Sequence, residues 1–247
     1  MSRFILDSCQ DRGFAPRGAG LSARFLPTIH GMEKLAAPRA KPRDEKFTER
    51  RAQLGEAALQ TLAELGYART SLREIAQNSE FSHGVLHYYF TDKVDLILCS
   101  VRQYKARCVI RYDAVTTTST TFEQLLDGFV AALGQTVRDE APMHRLWYDL
   151  RSQSLFEEAF RADVAAIEAS LEKMIWRVLT RMSSLAGAPL RAPSNVAYAM
   201  FDGIFQQCLI KHLSGDRKAI AAMQSNARLL VSQLLGLPVS VERKRRA

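Results

Sequence analysis

Apolar residues recur every three or four positions along most of the chain beyond residue 46, which is the period of an amphipathic α-helix. The first apolar stripe starts at Phe47 or Thr48 and ends at Leu65, where Gly66 supplies a stop. A second stripe runs from about residue 92 to about Val115. Further helices are predicted at about 121–139, 142–153, 155–182, 193–214 and 216–235. No segment alternates with the period of a strand, so the pattern predicts an all-α fold.

Two short helices joined by a tight turn are predicted between the first two stripes. Ser71 and Glu74 have the spacing of a capping box, which starts the first short helix. Ser82 supplies an N-cap for the second, whose exposed first turn is then formed by His83, Gly84 and Val85. A helix-turn-helix of this size places its second helix in the major groove of DNA.

The segment from about Phe47 to Lys93 resembles the DNA-binding domain of TetR-type transcriptional regulators. The resemblance lies in the Thr-Ser-Leu-Arg-Glu-Ile-Ala sequence that opens at Thr70 and in the Leu-x-x-Tyr-Phe-x-x-Lys sequence that closes at Lys93. It implies a homodimeric repressor that binds a palindromic operator in double-stranded DNA and is released by a small-molecule effector. Two positions depart from the family pattern, which usually has glycine in place of Glu80 and tyrosine in place of His87.

The resemblance also implies a set of DNA contacts. Thr70 and Arg73 are expected to face the DNA backbone, and the bases are expected to meet His83, Gly84 and Val85. The phosphates are expected to meet His87, Tyr88 and Lys93, and the two capping residues, Ser71 and Ser82, complete the set. For either histidine taken alone, the alternative is a solvated surface side chain.

The net charge of +8 is not by itself an argument for DNA binding, because it lies in the two tails. Residues 1–43 carry eight Lys or Arg and three acidic residues. Residues 241–247 carry four Lys or Arg and one acidic residue. The segment between them is neutral overall. A local basic rim is still expected, formed by Arg50, Arg51, Arg73 and Lys93.

These features divide the chain into four parts. Residues 1–45 are predicted to be a disordered basic extension and residues 46–92 the helix-turn-helix domain. Residues 93–236 are predicted to form a larger helical domain for effector binding and dimerisation, and residues 237–247 a basic tail.

No apolar run approaches the ~20 residues of a membrane span, so no membrane association and a cytoplasmic location are expected. The four cysteines show no zinc-site spacing, and no metal or cofactor is expected.

Two sites are predicted in the larger domain. Aromatic, methionine and polar residues are the candidates for an effector pocket: Phe122, Phe129, Met143, Trp147, Tyr148, Arg151, Met174, Trp176 and Gln206. For each of these, an ordinary core position is the alternative. The sequence from Leu146 to Arg151 is also loosely similar to betaine-responsive members of the family.

A four-helix dimer seam is predicted from the last two helices, with one packed monomer core as the alternative. Its predicted residues are Met200, Gly203, Ile204, Met223, Ala227, Leu230 and Leu234.

Two other functional classes compete with a regulator. An enzyme is not expected, because the chain has no nucleophile elbow, zinc-protease motif, phosphate loop or dinucleotide fingerprint. The other is a helical adaptor with a vestigial helix-turn-helix, for which Glu80 is the best support, since it places a negative charge near the expected DNA surface.

Overall fold

The computed structural model describes residues 42–238, and the predicted basic tail beyond 238 and most of the predicted extension before 42 lie outside them. The described chain forms nine α-helices and no strand, which confirms the all-α fold class. The helices are α1 Pro42–Arg69, α2 Leu72–Gln77, α3 His83–Tyr89, α4 Lys93–Ile110, α5 Asp113–Thr118, α6 Phe122–Gln153, α7 Glu158–Ala186, α8 Ser194–Leu213 and α9 Ala219–Leu235.

Helix α1 begins earlier than the apolar pattern predicted. Residues 42–45 were expected to belong to the disordered extension, but they form the first turn of α1, so that expectation is wrong for them. Two acidic residues in this turn, Asp44 and Glu45, stabilise it against the positive end of the helix dipole. A helix stop was predicted at Gly66, and this residue adopts φ 75°, which interrupts the helical geometry three residues before α1 ends at Arg69.

The second apolar stripe is divided between two helices, so the prediction of one helix to Val115 is wrong. Helix α4 ends at Ile110, and a separate short helix, α5, spans Asp113–Thr118. Hydroxyl groups bond back to the carbonyls of α5, since Thr117 Oγ1 donates to the Asp113 carbonyl at 2.8 Å and Thr118 Oγ1 to the Ala114 carbonyl at 2.8 Å.

The predicted break at Pro142 is a kink inside α6 and not the end of a helix. Glu140 has the non-helical angles φ −127° and ψ 21°, two residues before the proline, because the proline ring excludes regular helical geometry upstream. The continuous α6 therefore reaches from the start of the larger domain to Gln153, and α7 begins at Glu158, later than predicted.

One apolar core runs through both regions of the described chain. In the N-terminal part, α1 packs on α4 and buries Leu54, Leu62, Ile75, Leu86 and Phe90. In the C-terminal part, α6, α7, α8 and α9 enclose a larger core that contains Phe129, Trp147 and Met182. None of the helices formed by residues 42–238 is both long enough and apolar enough to cross a membrane.

Candidate DNA-binding surface and effector cavity

Serine side chains start both short helices, as predicted. The Glu74 N–H donates to Ser71 Oγ at 3.2 Å, and the Ser71 N–H donates to Glu74 Oε2 at 2.7 Å, which completes the capping box of α2. Ser82 Oγ accepts from the Val85 N–H at 3.3 Å and caps α3. Both serines therefore fix the ends of helices, although each is exposed.

Helix α3 has one buried side and one open side. Leu86 is fully buried, and Phe90, which follows the helix, is 1% exposed. Tyr88 on the opposite side is 70% exposed, and a Cβ atom added to Gly84 would meet nothing within 4 Å. Among the predicted base contacts, His83 and Gly84 are exposed and Val85 is half-buried. The open side of α3 can therefore approach another molecule without rearrangement of the core.

The two histidines of α3 contact each other on this open side. Their Nε2 atoms lie 3.1 Å apart, and their rings meet edge to face at 4.4 Å between centroids. In such a contact one nitrogen donates and the other accepts. The His87 ring therefore orients His83, the side chain one turn closer to the N-terminus of the helix, and this role was not predicted from the sequence.

Two of the predicted DNA contacts are occupied inside the protein. Thr70 is 2% exposed, and its hydroxyl donates to the Gly66 carbonyl at 2.7 Å, so the prediction that this side chain faces DNA is wrong. Lys93 is half-buried, and its ammonium donates to the Tyr67 carbonyl at 3.0 Å and lies 4.1 Å from the centre of the Tyr67 ring. Both residues close the corner where α1 meets the next helices.

The predicted basic rim is only partly formed. Arg51 pairs with Asp95 at 2.6 Å and lies over the Phe90 ring, so it belongs to the interior of the domain. Arg50 lies 4.9 Å from the Phe81 ring centre, whereas Arg73 on α2 is exposed. Of the four predicted cations, Arg73 is thus the best placed to meet a phosphate.

Tyr67 connects the N-terminal helices to the larger domain. Its N–H donates to Asp149 Oδ2 of α6 at 2.9 Å, and its hydroxyl donates to the Glu157 carboxylate at 2.9 Å. Its ring packs edge to face on Phe160. Burial and the hydrogen bond to Glu157 raise the pKa of Tyr67 to about 12. The residue therefore ties the end of α1 to α6 and α7.

A cavity of about 70 Å³ lies in the larger domain between α4, α6, α7 and α8. Three of the nine predicted pocket residues line it: Trp147, Tyr148 and Met174. The remaining six do not line this cavity: Phe122, Phe129, Met143, Arg151, Trp176 and Gln206. Two of these six support its wall, because Phe129 packs on Phe201 and Arg151 pairs with Asp202.

The polar groups of the cavity include Lys105, which the sequence analysis did not single out. Its side chain is 3% exposed, and its ammonium lies 4.9 Å from the Trp147 ring centre and 3.5 Å from His144 Nδ1. Burial lowers the pKa of Lys105 to about 8. A signal was present in the sequence, because this lysine interrupts the apolar stripe of α4 between Val101 and Cys108.

His144 is the second buried polar side chain of the cavity, with 7% exposure. Burial lowers its pKa well below the usual value, and the charges of Lys105 and Arg111 lower it further. The imidazole is therefore neutral in this environment.

The carboxylates near the cavity are already engaged by other side chains. Asp202 accepts from the Tyr148 hydroxyl at 2.8 Å and pairs with Arg151, which also pairs with Glu168 at 3.0 Å. Glu140 accepts from the Tyr104 hydroxyl at 2.5 Å and pairs with Arg111 at 2.5 Å.

Cys108, Glu140 and His144 place their ligand-type atoms within 4.8 Å of one another. Glu140 is held by Arg111, and Lys105 lies against His144, so this cluster combines poorly with a divalent cation.

The predicted dimer seam is divided between surface and core. On α8, Met200 is 42% exposed, Gly203 is exposed and Ile204 is half-buried. The four predicted residues of α9 are instead buried in the chain's own core, with 5% exposure or less, which corrects the prediction for Met223, Ala227, Leu230 and Leu234. Their apolar stripe faces inward, and periodicity does not distinguish a core from a subunit interface.

Comparison with known proteins shows what this chain is similar to. The family described as "Bacterial regulatory proteins, tetR family" matches residues 54–98, which include α2, α3 and the start of α4. The HTH-type transcriptional regulator BetI of Burkholderia thailandensis is 31% identical over 115 residues, which are 45% of this chain and 58% of that relative. The helix-turn-helix part of the chain is therefore similar to the DNA-binding domain of TetR-family regulators. The chain covers little more than half the length of that relative.

The similarity to TetR-family proteins extends into the larger domain. BetI of Paraburkholderia phymatum is 29% identical over 177 residues, covering 68% of this chain and 83% of that relative. A TetR transcription regulator from Haloarcula marismortui shares the fold with a TM-score of 0.63 at 18% identity, covering 76% of this chain and 99% of that one. A transcriptional regulator from Saccharomonospora viridis in complex with choline shares the fold with a TM-score of 0.61 at 19% identity. The match covers 75% of this chain and 96% of that one.

Proposed function

We propose that this chain is a TetR-family transcriptional repressor that binds a palindromic operator as a homodimer and is released when a small molecule enters the cavity. The open side of α3 is the observation that carries this proposal. Its exposed residues lie on a helix that is capped by Ser82 and held against the core by Leu86. A helix anchored in this way can enter a major groove without being deformed.

The residues of α3 divide by their position along the helix. His83 and Gly84 lie at its N-terminus, where the recognition helix of a helix-turn-helix meets base edges. Gly84 has open space around it, which allows a base edge or phosphate to approach the backbone. Tyr88 is the most exposed aromatic residue of the helix and can donate its hydroxyl to a phosphate.

An exposed apolar surface on α8 and α9 supports the proposed homodimer, whose paired geometry a palindrome needs. Its exposed large apolar side chains are Val196, Met200, Ile210 and Leu213 on α8 and Leu229 on α9. Gly203 lies between them and would let a partner helix approach closely. A twofold axis through this surface would place two copies of α3 on one duplex, about one helical turn (~34 Å) apart.

Effector release is supported by the way α6 joins the cavity to α1. His144 and Trp147 of α6 line the cavity, while their neighbours on the same helix contact α1. Arg145 donates to the Ala63 carbonyl at 2.5 Å, and Asp149 accepts from the Tyr67 N–H at 2.9 Å. A shift of α6 caused by a bound molecule would therefore move the end of α1 and change the separation of the two α3 helices.

The proposed DNA binding also implies a cytoplasmic location.

Gel-shift titration of the purified chain against DNA upstream of its own gene tests the proposal. We expect retardation of a short palindrome, with affinity that falls steeply as salt rises because phosphate contacts release counterions. His83→Ala should reduce the difference in affinity among operator variants. Tyr88→Phe should instead lower the affinity for all of these operators by a similar factor. Lys173→Ala is the matched control, since this lysine is exposed on α7 in the larger domain.

Sedimentation tests the dimer independently of DNA. Met200→Glu should convert the dimer to monomer and abolish cooperative binding to both half-sites, because it places a charge in the apolar surface. Lys173→Glu should leave the dimer intact. The adaptor alternative remains the second candidate, and it would be favoured if the wild-type dimer failed to bind any DNA above the nonspecific level.

A further inference from the structure

Two buried nitrogen donors, on Lys105 and His144, line the cavity. Lys105 has only N–H donors, so in its contact with His144 the Nδ1 atom of the histidine must accept. The neutral imidazole then carries its proton on Nε2. That atom is buried and has no hydrogen-bond partner among residues 42–238. Buried donors without acceptors are unfavourable, and an oxygen of a bound molecule would satisfy both groups.

Charge restricts the kind of oxygen ligand. Asp202, which lines the cavity, is held by Arg151, and Glu140 is held by Arg111. Lys105 instead contacts a neutral imidazole and the Tyr104 and Trp147 rings. A ligand with one negative charge would therefore meet a buried ammonium in a region of low dielectric, where charge-assisted hydrogen bonds are strong.

The remaining wall limits the size and body of the ligand. Leu133, Leu171, Met174 and Ile175 are apolar lining residues. The volume of about 70 Å³ is below the ~300–1,000 Å³ typical of pockets for drug-sized ligands. The site therefore suits a short apolar body with a single anionic end.

We infer that the effector is a small monocarboxylate whose oxygen atoms accept hydrogen bonds from Lys105 Nζ and His144 Nε2. This inference rests on the proposed role of the cavity in effector binding. The same donors disfavour a cationic ligand, because a second positive charge next to Lys105 would be repelled. The aromatic rings near Lys105 favour cations, but Lys105 itself already lies over Trp147.

Calorimetric titration of the full chain with matched pairs of small molecules tests this inference. The probes are sodium propionate and butyrate, their uncharged amides propionamide and butyramide, and choline chloride. We expect the carboxylates to bind at least tenfold more tightly than the amides and choline not to bind. Lys105→Met should weaken carboxylate binding at least tenfold and amide binding much less, because the amide loses a hydrogen bond but no charge interaction. Loss of structure alone would weaken both equally.

Two controls keep the outcome interpretable. Lys173→Met removes an exposed lysine of α7 and should bind the carboxylates like the wild type. Circular dichroism checks the folding of Lys105→Met, and His144→Phe removes the second donor if the first variant fails to fold. Equal affinity for acids and amides, tighter binding of choline, or no carboxylate binding at all would overturn the inference.

A gel shift with the same samples separates this inference from the proposed function. Operator binding by a protein that takes up no carboxylate would overturn the effector class and leave the regulator intact. Carboxylate uptake by a protein that binds no DNA would support the cavity assignment and count against the repressor.

Discussion

Replacing Lys105 with methionine should stabilise the folded chain near neutral pH, and this prediction follows from burial alone. The lysine is 3% exposed in the wall of an apolar cavity, and desolvation is the largest influence on it. Methionine has a similar length and fills the same space without a charge. The substitution therefore removes a buried ammonium while keeping most of the apolar contacts of the side chain.

The magnitude follows from the pKa of the lysine in the two states. Burial lowers it from 10.5 to about 8, although the charges of Cys108, Asp202 and Glu168 oppose this change and that of Arg111 adds to it. This difference corresponds to about 3 kcal/mol of unfavourable free energy when the folded lysine is charged. The neutral His144 against its ammonium contributes no compensating charge.

The pH dependence gives this prediction its sign. Below about pH 8 the lysine is protonated in both states, and the full unfavourable free energy is present. Above that pH the folded chain loses the proton before the unfolded chain does, so the free energy of unfolding of the wild type rises with pH towards 10.5. Between about pH 7 and about pH 9.5, the advantage of Lys105→Met should therefore shrink by roughly 2 kcal/mol.

Urea denaturation followed by circular dichroism measures this difference, with both proteins at one protomer concentration because a dimer's stability depends on it. Other titrating groups are common to the two proteins and cancel in the comparison. Lys173→Met serves as the exposed control and should show no pH-dependent difference. Parallel curves for wild type and Lys105→Met would refute the reasoning, because they would show that the ammonium is hydrated in the folded state.

Three further predictions concern the N-terminal helices and their connection to the cavity. Ser82→Ala removes the cap of α3, so urea titration should show a loss of about 1 kcal/mol and gel shifts a weaker operator complex; a fully stable variant would contradict the capping role. Thr70→Val leaves the Gly66 carbonyl without its hydroxyl donor and should lower stability by about 1 kcal/mol. Its operator affinity should be unchanged when measured well below the unfolding midpoint, and a selective loss of affinity would restore Thr70 as a DNA contact. Asp149→Ala leaves the Tyr67 N–H without its acceptor and should reduce the response of operator binding to effector, as measured by anisotropy; an unchanged response would rule out this path.

Local interactions explain why the helix-turn-helix could be predicted from the sequence. The capping box of Ser71 and Glu74 and the N-cap of Ser82 each join residues three positions apart, so spacing alone specifies them. The stop at Gly66 likewise depends on one residue's backbone freedom. The open side of α3 follows from the same short-range pattern.

Contacts within the folded chain explain the predictions that failed. Thr70 and Lys93 have the types and positions of DNA contacts, but the carbonyls of Gly66 and Tyr67 engage them in the folded chain. The apolar stripe of α9 has the period of an interface, yet the other helices cover it. Periodicity states which side of a helix is apolar and does not state what covers it.

The sequence by itself determined the helices, their caps and the exposed start of α3, because hydrogen bonds and apolar spacing within a few residues set them. Only the tertiary structure decided the cavity, since it brings Lys105 of α4 against His144 and Trp147 of α6, and these helices are distant along the chain. Burial then depresses the pKa of both ionisable groups, Lys105 and His144, because water that would solvate their charged forms is excluded.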